Sequence, residues 1–339
     1  MPEATAREIP LDYGDVAAEY RAVRERAGVI DRADRGLIEA TGRDRATFLH
    51  ALLSNEIKAL APGQGCAATL LDVHGKVQAT LLVWVLDERI VIVTPPGMGG
   101  AVYEQLDKYL FAEKVALEDA SGAHGLLLVA GPEAPALVRR LAGAAPAETP
   151  WANVGATLDG IDVRLVRGAG ETGEAELWIL TAADAASRVG DAIVAAGARP
   201  VGQRAVETLR IEAGTPRFGA DIDPSVLLPE IPFDALVSQT KGCYPGQEVV
   251  VRIRDRGHVN RHLRGLVLDG PDIPEIGAEI VADATPIGRV TSAVRSPALG
   301  RAVALGFVRR QHAAPGTRVE VRSGERMVGA TVSELPFPR

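Results

Sequence analysis

The chain has 339 residues, 47% hydrophobic and 24% charged, which are globular values with length for two or three domains. Its 44 acidic against 37 basic side chains leave a net charge of −7, which argues against a general nucleic-acid coat. Two cysteines exclude a disulfide framework, the opening MPEATAREIPLDYGD lacks the apolar core of a signal peptide, and no run approaches the ~18 apolar residues of a membrane span, so the expected setting is the reducing cytoplasm.

Asp15 is placed to cap a helix that runs to about Arg26 and is stopped by Gly28. A strand is expected around Gly36–Ala40, then a helix capped by Asp44 with Phe48, Leu49, Leu52 and Leu53 on its apolar face. Strands at 67–72, 77–86 and 89–94 follow, joined at Asp72–Gly75 and Asp87-Glu88; Pro95-Pro96-Gly97 ends the last, before a helix over 98–111. A similar unit repeats: strand 124–130, helix 133–142, strands 161–167 and 175–180 about a connection at 168–173, and a helix over Ala182–Ala196. This irregular mixture predicts an α+β fold. Gln203–Ala213 reads as a helix closed by Gly214, with a polar loop to Pro232. From Leu263 short strands near 263–268, 278–282, 287–294, 302–308, 318–322 and 327–333 predict a small antiparallel barrel at the C-terminus.

Between the polar loop and the barrel lies Lys241-Gly242-Cys243-Tyr244-Pro245-Gly246-Gln247-Glu248, which gathers one of only five lysines and one of only two cysteines. Tyr244–Gln247 fits a type II turn, with proline presetting the first central position and glycine accepting positive φ at the second. Cys243 then projects just before the turn, where Lys241 would favour its thiolate if the two side chains converge. The same residues fit a plain structural turn with Cys243 as a small buried hydrophobe, and Cys66 reads as core. After the turn, alternation of Val249, Val251 and Ile253 with polar neighbours predicts a strand.

Glu212 stands near a helix C-terminus, where a carboxylate opposes the helix dipole unless a ligand or cation partners it. Arginines 252, 254, 256, 261 and 264 form either a solvated face or an anion site. His258 and His262 have the spacing of a helical metal pair, but the surrounding arginines would repel a cation. There is no Walker A loop, dinucleotide fingerprint or nucleophile elbow.

The stretch KGCYPGQEVVVRIRDRGHVNRHLRGL closely resembles the signature of the YgfZ family, folate-binding proteins related to the glycine-cleavage aminomethyltransferase, or T-protein. RIEAGTPRFGADID is similar to the segment that relatives of both branches carry before it. The resemblance implies two interlocked α+β subdomains around a central folate channel over residues 1–260, with a C-terminal β-barrel over 261–339. It implies tetrahydrofolate, or a one-carbon derivative of it, as cofactor, and a role in synthesis or repair of iron–sulfur clusters in client proteins. On the matched positions Glu212 would grip the pterin, with Arg210, Arg252 and Arg261 near the anionic folate. Cys243 would be the reactive or ligating thiol and Lys241 its electrostatic neighbour. Gly242 and Gly246 would shape the loop, and Tyr244, Gln247 and Glu248 complete the motif.

One departure separates the branches. Transferases carry an acidic pair beyond the glycine-rich turn, and Ala79-Thr80 stand there, which weighs against aminomethyl transfer. The alternatives are a folate-dependent aminomethyltransferase and an RNA-binding accessory of tRNA modification. The protein is expected to be a monomer, with neither DNA nor membrane as partner.

Overall fold

The computed structural model describes residues 9–324 and 326–338. The chain begins with α1 (Val16–Glu25), β1 (Gly28–Asp31), β2 (Arg35–Thr41), α2 (Arg45–Leu52), β3 (Gly65–Leu71), β4 (Val77–Val85), β5 (Ile90–Pro96), α3 (Gly99–Asp107) and β6 (Ala116–Asp119). It continues with β7 (His124–Ala130), α4 (Ala134–Ala142), β8 (Asn153–Leu158), β9 (Ile161–Arg167), β10 (Glu176–Ala182), α5 (Ala186–Ala195), β11 (Arg199–Pro200) and α6 (Gln203–Glu212). Last come α7 (Gln247–Arg256) and β12 (Arg261–Leu268), β13 (Glu279–Ala282), β14 (Thr285–Ser296), β15 (Arg301–Arg309), β16 (Arg318–Ser323) and β17 (Arg326–Ser333).

Two sheets stack face to face. One has the order β3-β4-β5-β2-β6 and the other β11-β1-β7-β10-β9-β8. They interlock because β1 crosses over to pair with β7, Val29 opposite Val129, while β2 just after it pairs with β5. Between them Trp84, Leu86 and Val93 of one sheet meet Leu128, Val166 and Trp178 of the other. Helices α2 and α3 cover one outer face through Phe48, Leu49 and Leu106. Helices α4 and α5 cover the other through Leu137, Val138, Val189 and Ile193. Each large side chain so buried is worth about 1.5–3 kcal/mol.

Strands β12–β17 close on themselves in the order β12-β15-β14-β13-β16-β17, which removes every open edge from this part of the chain. The six expected strands are all present. Among the described residues, no helix is long and apolar enough to cross a membrane.

Local signals held unevenly. Asp15 caps α1, its Oδ1 accepting from Ala18 N at 2.9 Å. Asp44 precedes α2, but its carboxylate accepts from Lys114 N at 2.8 Å instead of capping. The turn in the motif is as predicted: Gly246 has φ 78° and ψ −3°, and Gln247 N donates to Tyr244 O at 3.2 Å. The strand expected after it is wrong, because Gln247–Arg256 is helix α7. Alternating valines over so short a run suit either period. Only Val250 is deeply buried, against the core that holds Tyr244 and Ile231, and Arg252, Arg254 and Arg256 after the valines face solvent.

Candidate functional site

At one end of the layer between the sheets opens a cavity of about 440 Å³. Its size is that of an ordinary small-molecule site. The register of β4 decides what that wall shows. Ala79, Leu81 and Val83 point into the core under α2 and α3, whereas Thr80 and Leu82 face the cavity. Of the two positions read as the acidic pair, only 80 reaches the cavity; Ala79 is 0% exposed in apolar core. On α6 the residues Gln203, Val206, Glu207 and Arg210, at helical spacing, form the facing wall.

Charge enters the cavity in a tightly built cluster. Arg32 Nη1 donates to Glu171 Oε1 at 2.9 Å and Arg35 Nη2 to Glu171 Oε2 at 2.8 Å. Both guanidiniums lie over the Trp178 ring, 5.4 and 5.1 Å from its centroid. Burial works to raise the Glu171 pKa, but the two guanidiniums overcome it and hold the carboxyl down to about 2. Behind it, Glu176 accepts from Gly170 N at 3.0 Å and from Thr172 Oγ1 at 2.8 Å. Burial, then the charge of Glu171, pushes Glu176 up to about 7. Asp31, also on the cavity lining, accepts from Ala33 N at 2.9 Å and has no guanidinium partner among the described residues.

The four residues matched to folate binding are scattered by the fold. Glu212 is buried away from the cavity: its Oε2 accepts from Tyr20 Oη at 2.7 Å and Arg24 Nη2 at 2.5 Å, and its Oε1 from Ser296 Oγ. It ties α1 and α6 to the barrel. Arg261 is committed to Glu230, with two bonds of 3.0 Å, and stacks on Phe307 at 4.5 Å. Arg252 lies exposed on α7 and does not line the cavity. Arg210 alone is on the lining, and its guanidinium donates to Asp221 at 2.5 Å, Ser292 at 2.6 Å and Glu207 at 3.0 Å. The carboxylate of α6 that faces the cavity is Glu207, five residues before Glu212. Its signal was available: positions 203, 206, 207 and 210 share one face of the helix.

The motif loop is braced from three sides. Lys241 is buried, and its Nζ donates to the carbonyls of His50 and Leu53 at the end of α2. A cation there complements the helix dipole. Burial lowers its pKa to about 8, opposed by Glu56 and Cys66. Its ammonium lies 5.0 Å from the Tyr244 ring centroid, and Tyr244 fills the core below. Gly246 presses against the β3–β4 turn, where an added Cβ would meet Asp72 O at 2.5 Å and Gly75 Cα at 2.8 Å. Gly242 has open space around it, Gln247 begins α7, and Glu248 is exposed in its first turn. Cys243 is left exposed at the tip. The expected convergence of Lys241 on Cys243 is absent, since the ammonium is spent on α2. Cys66 is half-buried, Sγ 3.6 Å from Glu56 O, with burial pushing its thiol up to about 12.

Comparison with known proteins agrees with this architecture. Residues 1–241 match the family described as the GCVT N-terminal domain, and residues 261–338 match the glycine cleavage T-protein C-terminal barrel domain. The chain is 30% identical over 333 residues to the aminomethyltransferase of Thermosynechococcus vestitus, covering 98% of this chain and 90% of that one. It is 32% identical to the probable aminomethyltransferase of Halobacterium salinarum, covering 97% and 92%. In fold it is similar to the glycine cleavage system aminomethyltransferase T of Bartonella henselae, with a TM-score of 0.88 at 24% identity over 97% of this chain and 91% of that one. Aminomethyltransferases of this family bind tetrahydrofolate and its one-carbon derivatives. With both of its parts matched and full-length relatives at this identity, the chain belongs to the glycine cleavage T-protein family.

Proposed function

We propose that this chain binds tetrahydrofolate in the cavity between the sheets and acts on its one-carbon unit, as a folate-dependent transferase of the aminomethyltransferase class. The observation that carries the binding is a wall bearing a carboxylate, Glu207, held in place by Arg210 one turn along α6 and facing the uncharged Thr80–Leu82 face of β4. A pterin has a ring N–H beside an exocyclic amine, and a carboxylate accepts both in parallel. The half-exposed Arg217, 3.4 Å from Glu207, is the cavity cation best placed for the anionic tail. When bound, the folate supplies the nucleophilic or carrier nitrogen for the one-carbon group. The chain's own part is to orient it and to hold charge nearby. Thr80 cannot hold charge, so that role falls to Asp31, the cavity carboxylate free of arginine.

The names of the relatives favour transfer over the cluster-maintenance role that the YgfZ-like motif suggests. That second reading keeps two observations of its own: Cys243 is exposed on a braced loop, and the β4 wall carries threonine in place of acid. On this reading the partners are iron–sulfur client proteins or assembly factors, met through Cys243.

Calorimetry with tetrahydrofolate tests the shared part. Glu207→Gln should weaken binding about ten- to a hundredfold, the worth of one charge-assisted pair. Equal affinity in the two proteins would remove Glu207 from the site. Release of ammonia from an aminomethyl-lipoyl carrier, lost in Asp31→Asn, selects transfer. No release, together with iron–sulfur enzyme activity in a deletion strain that wild type restores and Cys243→Ser does not, selects the second reading.

A further inference from the structure

Strand β4 runs from the folate cavity at Thr80 to a second, open groove of about 610 Å³ just beyond it at Leu86. The floor of that groove is the end of the shared core, where Leu86 and Leu180 continue the layer of Trp84 and Trp178. Two arginines and a histidine rim it: Arg89 from the β4–β5 turn, Arg164 from β9 and His124 from the start of β7. Glu39 on β2 steadies two of them, with Arg89 Nε at 3.0 Å and His124 Nε2 at 2.8 Å from its Oε1. The terminal nitrogens of Arg89 have no partner among the described residues.

Arg164 is less satisfied still. It is half-buried, has no carboxylate in ion-pair contact among the described residues, and makes one long bond of 3.5 Å to Asn153 Oδ1. Its register partner on β8 is Gly155, whose missing side chain lets the guanidinium lie across the strand, Cζ 4.0 Å from where a Cβ would be. Burial lowers its pKa, Asp87 partly offsets this, and the charge of Arg89 adds to the lowering. The one carboxylate on the lining, Asp162, is exposed and lies 3.5 Å from Thr157 Oγ1. A half-buried guanidinium with no carboxylate in contact is only partly compensated, and a bound anion would complete its pairing.

We propose that this groove is a second ligand site, taking a small carboxylate with an apolar body: the carboxylate between Arg164 and Arg89, the body against Ala123 and Ala182, which lie exposed on the lining above the buried Leu86 and Leu180. Guanidinium forks match a carboxylate in two parallel bonds. A bare phosphate would satisfy the arginines but leave the apolar lining uncovered, and the groove has the volume of small-molecule sites. The site uses no residue of the folate cavity, so it stands or falls apart from the folate reading.

Fluorine NMR of the full chain with 4-fluorobenzoate as probe tests it. Wild type should show saturable broadening. Arg164→Met and the milder Arg89→Gln should each weaken binding about tenfold while thermal melting and tetrahydrofolate affinity stay at wild-type values. Broadening that does not saturate, or that both variants keep in full, would overturn the site. Displacement of the probe by tetrahydrofolate would place it in the other cavity instead. Displacement by inorganic phosphate at equal concentration would refute the role of the apolar lining.

Discussion

Glu212→Gln separates a structural carboxylate from a ligand-binding one. The substitution removes a charge that is 3% exposed and accepts from Tyr20, Arg24 and Ser296. Removing one partner of a buried ion pair typically costs about 3–5 kcal/mol, because the other charge is left uncompensated. Arg24 keeps Glu174, 2.7 Å from its Nη1, so the lower end, about 3 kcal/mol, is expected. In a chain of this size each kcal/mol lowers the melting temperature by about 2–4 °C or slightly less, so a fall of roughly 6–10 °C should follow. Circular dichroism melts and calorimetry on the same samples read the two effects apart. Glu212→Gln should melt early and bind tetrahydrofolate at near wild-type affinity; Glu207→Gln should bind it at least tenfold more weakly and melt closer to wild type, because Asp221 and Ser292 still hold the Arg210 guanidinium. A Glu212→Gln protein with unchanged melting and a tenfold weaker affinity would return Glu212 to the folate site and refute the structural reading.

Glu176 gives stability a pH dependence. Its folded pKa, about 7, lies above its ordinary 4.5, so the folded state holds a proton that the unfolded state has lost between those values. The stabilisation is complete below about pH 4.5 and is lost as pH rises through 7, up to about 3 kcal/mol. Denaturant titrations from pH 5 to 8 should show the decline in wild type and a flatter profile in Glu176→Gln; parallel profiles would mean the group titrates normally. Gly246→Ala should destabilise by at least the ~1–2 kcal/mol of a left-handed residue, since its Cβ also meets the Asp72–Gly75 backbone, whereas Gly242→Ala should melt like wild type. An alkylating reagent should label Cys243 in the native protein and reach Cys66 only after denaturant. Lys241→Met should lower the melting temperature by freeing the carbonyls that end α2, yet leave the Cys243 labelling rate within about twofold. A tenfold slower rate would show that the ammonium acts on the thiol after all.

The barrel was legible because its strands are short, alternate in polarity and are punctuated by glycine, proline and aspartate. So was the motif turn, since Pro245 and Gly246 dictate local angles without help from the rest of the chain. What depends on distant contacts was not. Glu212 reads as a misplaced carboxylate until Tyr20, 192 positions earlier, and Ser296, 84 positions later, are seen to donate to it. Lys241 sits two positions from Cys243 in sequence but reaches carbonyls some 190 positions away. Position 79 could be ranked with position 80 only while the register of β4 was unknown. The helix at 247–256 was missed because a single buried valine fixes it, which leaves too little periodicity to count.

The crossing of β1 between the two sheets sets a timetable for synthesis. As the chain leaves the ribosome, every strand of the sheet containing β2 has emerged by Asp119, but β1 has no neighbour until β7 follows, roughly a hundred residues behind it. At ordinary elongation rates of ~5–20 residues per second, that strand waits about 5–20 s as an unpaired edge beside a nearly finished sheet. Its second neighbour, β11, comes later still, at Arg199–Pro200. A fragment cut between the halves therefore leaves β1 without its sheet and the second sheet without its strand. Separating the halves to study one alone would take β1 out of the middle of the second sheet.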